Sequence, residues 1–258
     1  MGTALITGAT AGLGLEFAWQ LATARHHLVL VARDEDRLDE VAQQLRAAAG
    51  VDVEVLRADL SVPDDVARVA RRLAVVGGRP EDNGLRPVGL LVNNAGFATS
   101  ASFVEGRLST ELRGVDVMVR AVVQLSHAAL GQMTQRGRGA VLNVASVAAL
   151  TAGGTYAAAK AYVRSFTEGL AVELRGTGVT ATVLCPGFVH TEFHARAGIT
   201  ESTIPAWAWL NATDVVADAL TDVRRGVVIS TPSVRYKAAS AALRVLPRWA
   251  VRTIGKYR

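Results

Sequence analysis

Acidic residues are missing from the whole stretch after Asp222, and cysteine occurs once, at Cys185. The single thiol excludes an internal disulfide and a multi-cysteine metal site, and beside Pro186 it reads as a packed strand residue. No stretch offers about eighteen apolar residues free of charge, so a membrane-spanning helix is not expected. A secretory signal is missing as well: Met1-Gly2-Thr3-Ala4-Leu5-Ile6-Thr7 enters an apolar strand directly, with no basic region and long apolar run before it. These absences together point to a cytoplasmic chain. Lysine is scarce beside arginine, a coding bias that carries little mechanistic information.

The missing acids leave the charge unevenly placed. The formal charge is +5, yet Arg235, Lys237, Arg244, Arg248, Arg252, Lys256 and Arg258 alone supply seven positive charges, and without them residues 1–234 stand at −2. A basic chain invites a nucleic-acid reading, but no binding motif is present and the cations gather at one end, so no nucleic-acid partner is expected. Residues 235–258 also carry Leu243, Val245, Leu246, Trp249, Val251 and Ile254, with Pro247 interrupting any helical period. Three accounts stand for this tail: a helix docked on the substrate mouth or a neighbouring subunit, a solvated tail, or weak contact with a membrane surface, for which cations beside Trp and Leu are suited.

What is present is an alternation. Apolar runs at Ala4–Thr7, Leu28–Ala32, Val53–Leu56, Val88–Asn93, Ala140–Ala145, Val179–Leu184 and Val227–Ser230 are separated by segments of helical length and period. Such a pattern predicts βαβ units and a single-domain α/β fold, a doubly wound parallel sheet of Rossmann type with helices on both faces. A chain of 258 residues suits one such domain better than two. Gly77 to Pro87 collects Gly, Pro, Asn and charge, and reads as a surface loop.

The first strand runs into Thr7-Gly8-Ala9-Thr10-Ala11-Gly12-Leu13-Gly14, followed by a helical stretch from Leu15 to Ala24. Glycines here let the backbone approach a pyrophosphate, whose charge is met by free amides and the positive end of the helix dipole. The alternative is a tight strand-to-helix turn. Arg33 follows the second strand, where a dinucleotide fold reads the ribose. A cation there favours NADP(H) over NAD, although Asp34 and Asp36 either cap the next helix or pair with Arg33 and Arg37. Tyr156 and Lys160 lie one helical turn apart on one face, a spacing that lets an ammonium lower the pKa of a phenol. Taken alone, that pair is equally a surface helix contact.

The glycine pattern, Asp59, Asn93-Asn94-Ala95-Gly96, Ser146, Tyr156, Lys160 and Pro186-Gly187 stand in the order of the short-chain dehydrogenase/reductase family, which the chain resembles from residue 3 to about residue 230. The resemblance implies Ser146 as the group that orients the substrate oxygen and Tyr156 as the proton donor or acceptor. It implies Lys160 as the residue that holds the nicotinamide ribose and tunes Tyr156. It also places Gly8, Thr10, Gly12, Leu13, Gly14, Arg33, Asp59, Leu60, Asn93, Ala95, Gly96, Pro186, Gly187, Val189 and Thr191 along the cofactor. No metal is implied, and His190 and His194 lack the carboxylate or cysteine partners that a metal site needs.

Two departures accompany the resemblance. Ser146 precedes Tyr156 by ten residues, a shorter interval than is usual in the family; Asn143 would meet the usual spacing but lies inside the strand. Met118 stands where many members carry an asparagine that supports a proton relay, and a thioether donates no hydrogen bond. Either backbone carbonyls, water or Asp116 serve instead, or catalysis is altered.

The expectation is therefore an oxidoreductase domain over 1–234, with a substrate lid at about 190–211 and a basic tail over 235–258. Phe193, His194, Ile199, Pro205, Trp207, Trp209 and Leu210 suit the lid to an apolar or aromatic ketone or alcohol. Reduction by NADPH is the expected direction, and a homodimer or homotetramer the assembly the resemblance implies. Two rivals are a non-enzymatic NADP-binding sensor or scaffold and a peripheral membrane enzyme for lipid-like carbonyls.

Overall fold

The computed structural model describes residues 2–78, 80–99, 102–193 and 205–254. Seven parallel strands form the central sheet: β1 (Thr3–Thr7), β2 (His27–Ala32), β3 (Val53–Arg57), β4 (Val88–Asn93), β5 (Gly139–Val144), β6 (Val179–Leu184) and, after a separate two-stranded ribbon, β9 (Ile229–Ser230). Their order is β3-β2-β1-β4-β5-β6-β9, so the chain reverses direction of growth between β1 and β4, where doubly wound sheets bind ligands. The doubly wound Rossmann-type architecture is as expected. The seventh strand is shorter than Val227–Ser230 because only Ile229 and Ser230 pair with β6, opposite Val183 and Leu184. Phe188–Val189 (β7) and Trp209–Leu210 (β8) pair parallel in the ribbon.

Strand periodicity feeds two cores. Ala4, Ile6, Leu28 and Leu30 face α1 (Gly12–Thr23) and α2 (Glu35–Ala49), where Phe17, Leu21, Leu38 and Leu45 are buried against them. Leu5, Val29 and Val31 face the other way, toward Val69 and Leu73 of α3 (Pro63–Leu73) and, further along the sheet, Leu125 and Met133 of α5 (Ala121–Gln135). Each such aliphatic or aromatic side chain contributes about 1.5–3 kcal/mol on burial. Helix ends are written locally. Asp34 caps α2 by accepting from the Arg37 amide at 3.1 Å, and Gly50, at φ 62°, closes the other end in the left-handed conformation. α3 opens on Pro63, Asp64 and Asp65 and ends on Arg71 and Arg72, each sign complementing the helix dipole.

Between α4 (Leu108–Val115) and α5, residues Asp116–Arg120 form one wider π turn, with Met118 at its centre. α6 (Gly154–Glu173) carries Tyr156 and Lys160, and α7 (Ala212–Arg224) covers the sheet beside α1. The basic C-terminal stretch folds as α8 (Val234–Val245), packed against residues 147–150, then turns at Pro247 into α9 (Arg248–Ile254). Among the described residues no helix is long and apolar enough to cross a membrane.

Candidate active site

A cleft of about 910 Å³ opens at the carboxyl ends of the strands. Its floor is the turn after β1. Gly8 sits at φ 66°, in the left-handed region, and a Cβ on Gly14 would overlap the Gly8 carbonyl oxygen, so the helix can approach the strand only as glycine permits. The helix begins at Gly12, earlier than the expected Leu15, because the glycine turn itself forms the first helical turn. No acidic residue occupies that first turn, which leaves its amides unopposed for an anion. A Cβ on Gly12 would come within 3.3 Å of Thr191, so turn and cleft roof nearly meet there.

Of the residues expected along the cofactor, Gly8, Thr10, Gly12, Leu13, Arg33, Asp59, Leu60, Ala95, Gly96, Pro186, Gly187, Val189 and Thr191 line this cleft, together with Ser146, Tyr156 and Lys160. Gly14 and Asn93 do not. Gly14 acts through packing. Asn93 is buried below the cleft, where its amide donates to Asn143 Oδ1 at 2.9 Å and Ser126 Oγ at 3.2 Å, and Asn143 donates in turn to Thr167. The neighbouring Asn94 lines the cleft instead, and its side chain donates to the carbonyls of Thr7 and Gly8 at 2.9 and 3.3 Å.

Charge is sorted along the cleft. Arg33 follows β2 and Arg37 stands in the first turn of α2, and Asp34 between them is engaged as the α2 cap. Arg37 also pairs at 3.0 Å with Glu192 on the opposite wall. Burial pushes the Asp59 carboxyl upward, but the Ser61 hydroxyl and amide and the Arg113 guanidinium at 2.9 Å outweigh it and hold the group below the usual carboxylate range.

At the other end, Lys160 is 5 % exposed; its ammonium donates to the Val144 carbonyl at 2.8 Å and lies 5.7 Å from the Tyr156 ring centroid. Burial lowers its pKa to about 8. The short interval between Ser146 and Tyr156 is taken up by one 3₁₀ turn, Val147–Leu150, which Ser146 caps by accepting from the Ala148 amide at 3.1 Å. Ser146 therefore still lines the cleft with Tyr156, while Asn143 is fully buried in the strand. Met118, 1 % exposed, packs against Gly96 beside Lys160. Asp116 is turned to Arg120 at 3.1 Å, and among the described residues the ammonium's hydrogen-bond partner is the Val144 carbonyl.

Several cleft features have no local sequence signal. Phe97, Arg113, Val117 and Glu192 line it, beside Phe193 of the expected lid, which meets the Tyr156 ring at 5.8 Å between centroids. Tyr236 of α8 lies against Gly187 so closely that a Cβ there would fall inside its ring. Its hydroxyl accepts from the Phe188 amide at 3.1 Å and donates to the Ala208 carbonyl at 2.7 Å. His190 stacks on Trp209 at 4.7 Å, and no group of three metal-ligating side chains occurs among the described residues. His194 and Ile199 of the expected lid lie outside the described residues.

The arrangement fits a dinucleotide: a glycine cradle with open amides at the centre, cations at the ribose-reading end and a phenol, hydroxyl and ammonium at the other. A sequence model described as short chain dehydrogenase matches residues 2–202. The ketoacyl reductase HetN of Nostoc sp. is 30% identical over 224 residues, covering 84% of this chain and 73% of that protein. A short-chain dehydrogenase from Sphingobium yanoikuyae, solved in complex with NADPH, superposes with a TM-score of 0.83 at 34% identity, over 95% of this chain and 94% of that one. The bulky-bulky ketone specific alcohol dehydrogenase from Comamonas testosteroni gives a TM-score of 0.79 at 29% identity, over 96% of both chains.

Proposed function

Because the chain belongs to the short-chain dehydrogenase family and is thus an oxidoreductase, we propose that it is an NADPH-dependent reductase of apolar or aromatic ketones. The observation that supports this reading is that Ser146, Tyr156 and the buried Lys160 line one cleft together with Arg33 and Arg37. The bound cofactor supplies the hydride. Ser146 donates a hydrogen bond to the carbonyl oxygen and orients it. Tyr156 delivers the proton to the developing alkoxide. Lys160, as ammonium, stabilises the phenolate that remains and holds the ribose hydroxyls. Gly8, Gly12 and the amides of the first helical turn receive the pyrophosphate, and Arg33 and Arg37 receive a 2′-phosphate. Phe97, Val117 and Phe193 supply an apolar wall for the substrate. The likeness to a ketoacyl reductase and to a bulky ketone dehydrogenase supports this substrate class.

NADPH consumption over a panel of aromatic, steroid-like, long-chain and polyketide-like ketones tests the reading. At least one ketone should be turned over, and Tyr156→Phe should lower kcat by about 10²-fold or more while NADPH still binds. If NADH and NADPH bind equally, the cofactor assignment is lost.

Met118 favours a second reading, a non-enzymatic NADP-binding sensor, since it places a thioether beside Lys160. In that case Tyr156→Phe alters the turnover of no substrate.

A further inference from the structure

The outward face of the C-terminal helices has a composition the cleft does not use. Tyr236, Ser240 and Leu243 point α8 inward, while Val234, Ala238, Ala241 and Val245, spaced four, three and four residues apart, are all exposed. Val234 is 80% exposed, Val245 84% and Trp249 68%. Around them Arg235, Lys237, Arg244, Arg248 and Arg252 are also exposed, and no acid follows Asp222 to offset them. The face continues onto the return of the lid, because the Arg235 guanidinium donates to the Trp207 carbonyl and the Tyr236 hydroxyl to that of Ala208. The Trp207 side chain is itself 66% exposed.

We propose that α8, α9 and Trp207 form a docking surface for anionic lipid membranes. Charge selects the occupant. A second copy meeting this face about a two-fold axis would set cation against cation. A nucleic acid would use the cations but leave Val245, Leu246 and Trp249 in water. A bilayer of anionic lipid takes both: headgroup phosphates meet the guanidinium groups, and the tryptophan and aliphatic side chains enter the interface. Docking in this way sets the lid return at the lipid surface, where apolar ketones concentrate. That consequence rests on the ketone reductase reading; the docking itself does not.

Flotation of the full chain with vesicles of phosphatidylglycerol and phosphatidylcholine, against phosphatidylcholine alone, tests the proposal without using turnover. The wild type should float with the anionic vesicles only, and less as salt is raised. Arg248→Glu with Arg252→Glu should weaken binding by about tenfold or more, and Trp249→Ala by several-fold. Neither variant touches the cleft, so unchanged NADPH binding reports that each is folded. The proposal is overturned if the wild type stays with the lipid-free fraction, if neutral vesicles bind equally, or if either variant floats like the wild type. Binding to a short DNA duplex, indifferent to Trp249→Ala and without vesicle binding, also overturns it. Flotation without turnover of any ketone retires the enzymatic reading and leaves the docking surface standing.

Discussion

Burying an ammonium group without a carboxylate partner costs stability, and Lys160 has no such partner within ion-pair distance among the described residues. Its pKa falls from 10.5 to about 8. Below about 8 the folded chain holds the charge against its environment, so the penalty is full; between about 8 and 10.5 only the unfolded chain keeps the proton, and stability rises with pH. A tenfold change in proton affinity is worth ~1.4 kcal/mol, which sets the cost at roughly 3 kcal/mol. Lys160→Met is therefore expected to raise the Tm of the cofactor-free protein near neutral pH. The gain should shrink as the pH rises above about 8, and thermal melts over a pH series would check it. The same variant should lose reductase activity. A residue that destabilises the empty fold while facing the cleft is better explained by chemistry than by packing. Tyr156 and Lys160 are legible in the sequence through their spacing and their company of motifs. That Met118 lies against Gly96 is not, since the π turn that directs it leaves no local pattern.

At the scale of elements, α8 shows how a distant segment completes the site. Tyr236 ties β7 to the turn just before β8, and no periodicity links position 236 to positions 188 and 208; only the folded chain brings them together. Tyr236→Phe keeps the ring against Gly187 and removes both hydroxyl hydrogen bonds. It is expected to cost about 1–2 kcal/mol of stability and to raise KM for the ketone more than it lowers kcat. Thermal melts and steady-state kinetics would separate the two effects, and equal loss in both kinetic constants would argue against a role in seating substrate. By contrast, the strands, the cap at Asp34 and the glycine turn follow from short-range rules and are readable from the chain. Asn93 marks the boundary between the two cases: the Asn-Asn-Ala-Gly run is visible, but which asparagine faces the cleft depends on the alternation at the end of β4 and on Asn143 across the sheet.

For the whole molecule, the same sheet that buries two cores leaves α6 with an exposed apolar flank. Tyr162 is 45% and Val172 58% exposed, and Leu108 and Leu112 of α4 are exposed at 66% and 54%. We expect these faces to be covered in a homo-oligomer, and Tyr162→Glu with Val172→Glu to lower the mass measured by light scattering; a monomeric wild type would refute this.

The contact between Gly187 and Tyr236 has a consequence for anyone altering this protein. The ring of Tyr236 fills the volume a side chain at 187 would need, so position 187 cannot be varied alone: alanine there requires a smaller side chain at 236. Attempts to widen substrate scope by randomising the lid position by position will discard variants that succeed only as pairs. Libraries should couple codons 187 and 236, treating the start of α8 as the backing of the pocket wall at Gly187.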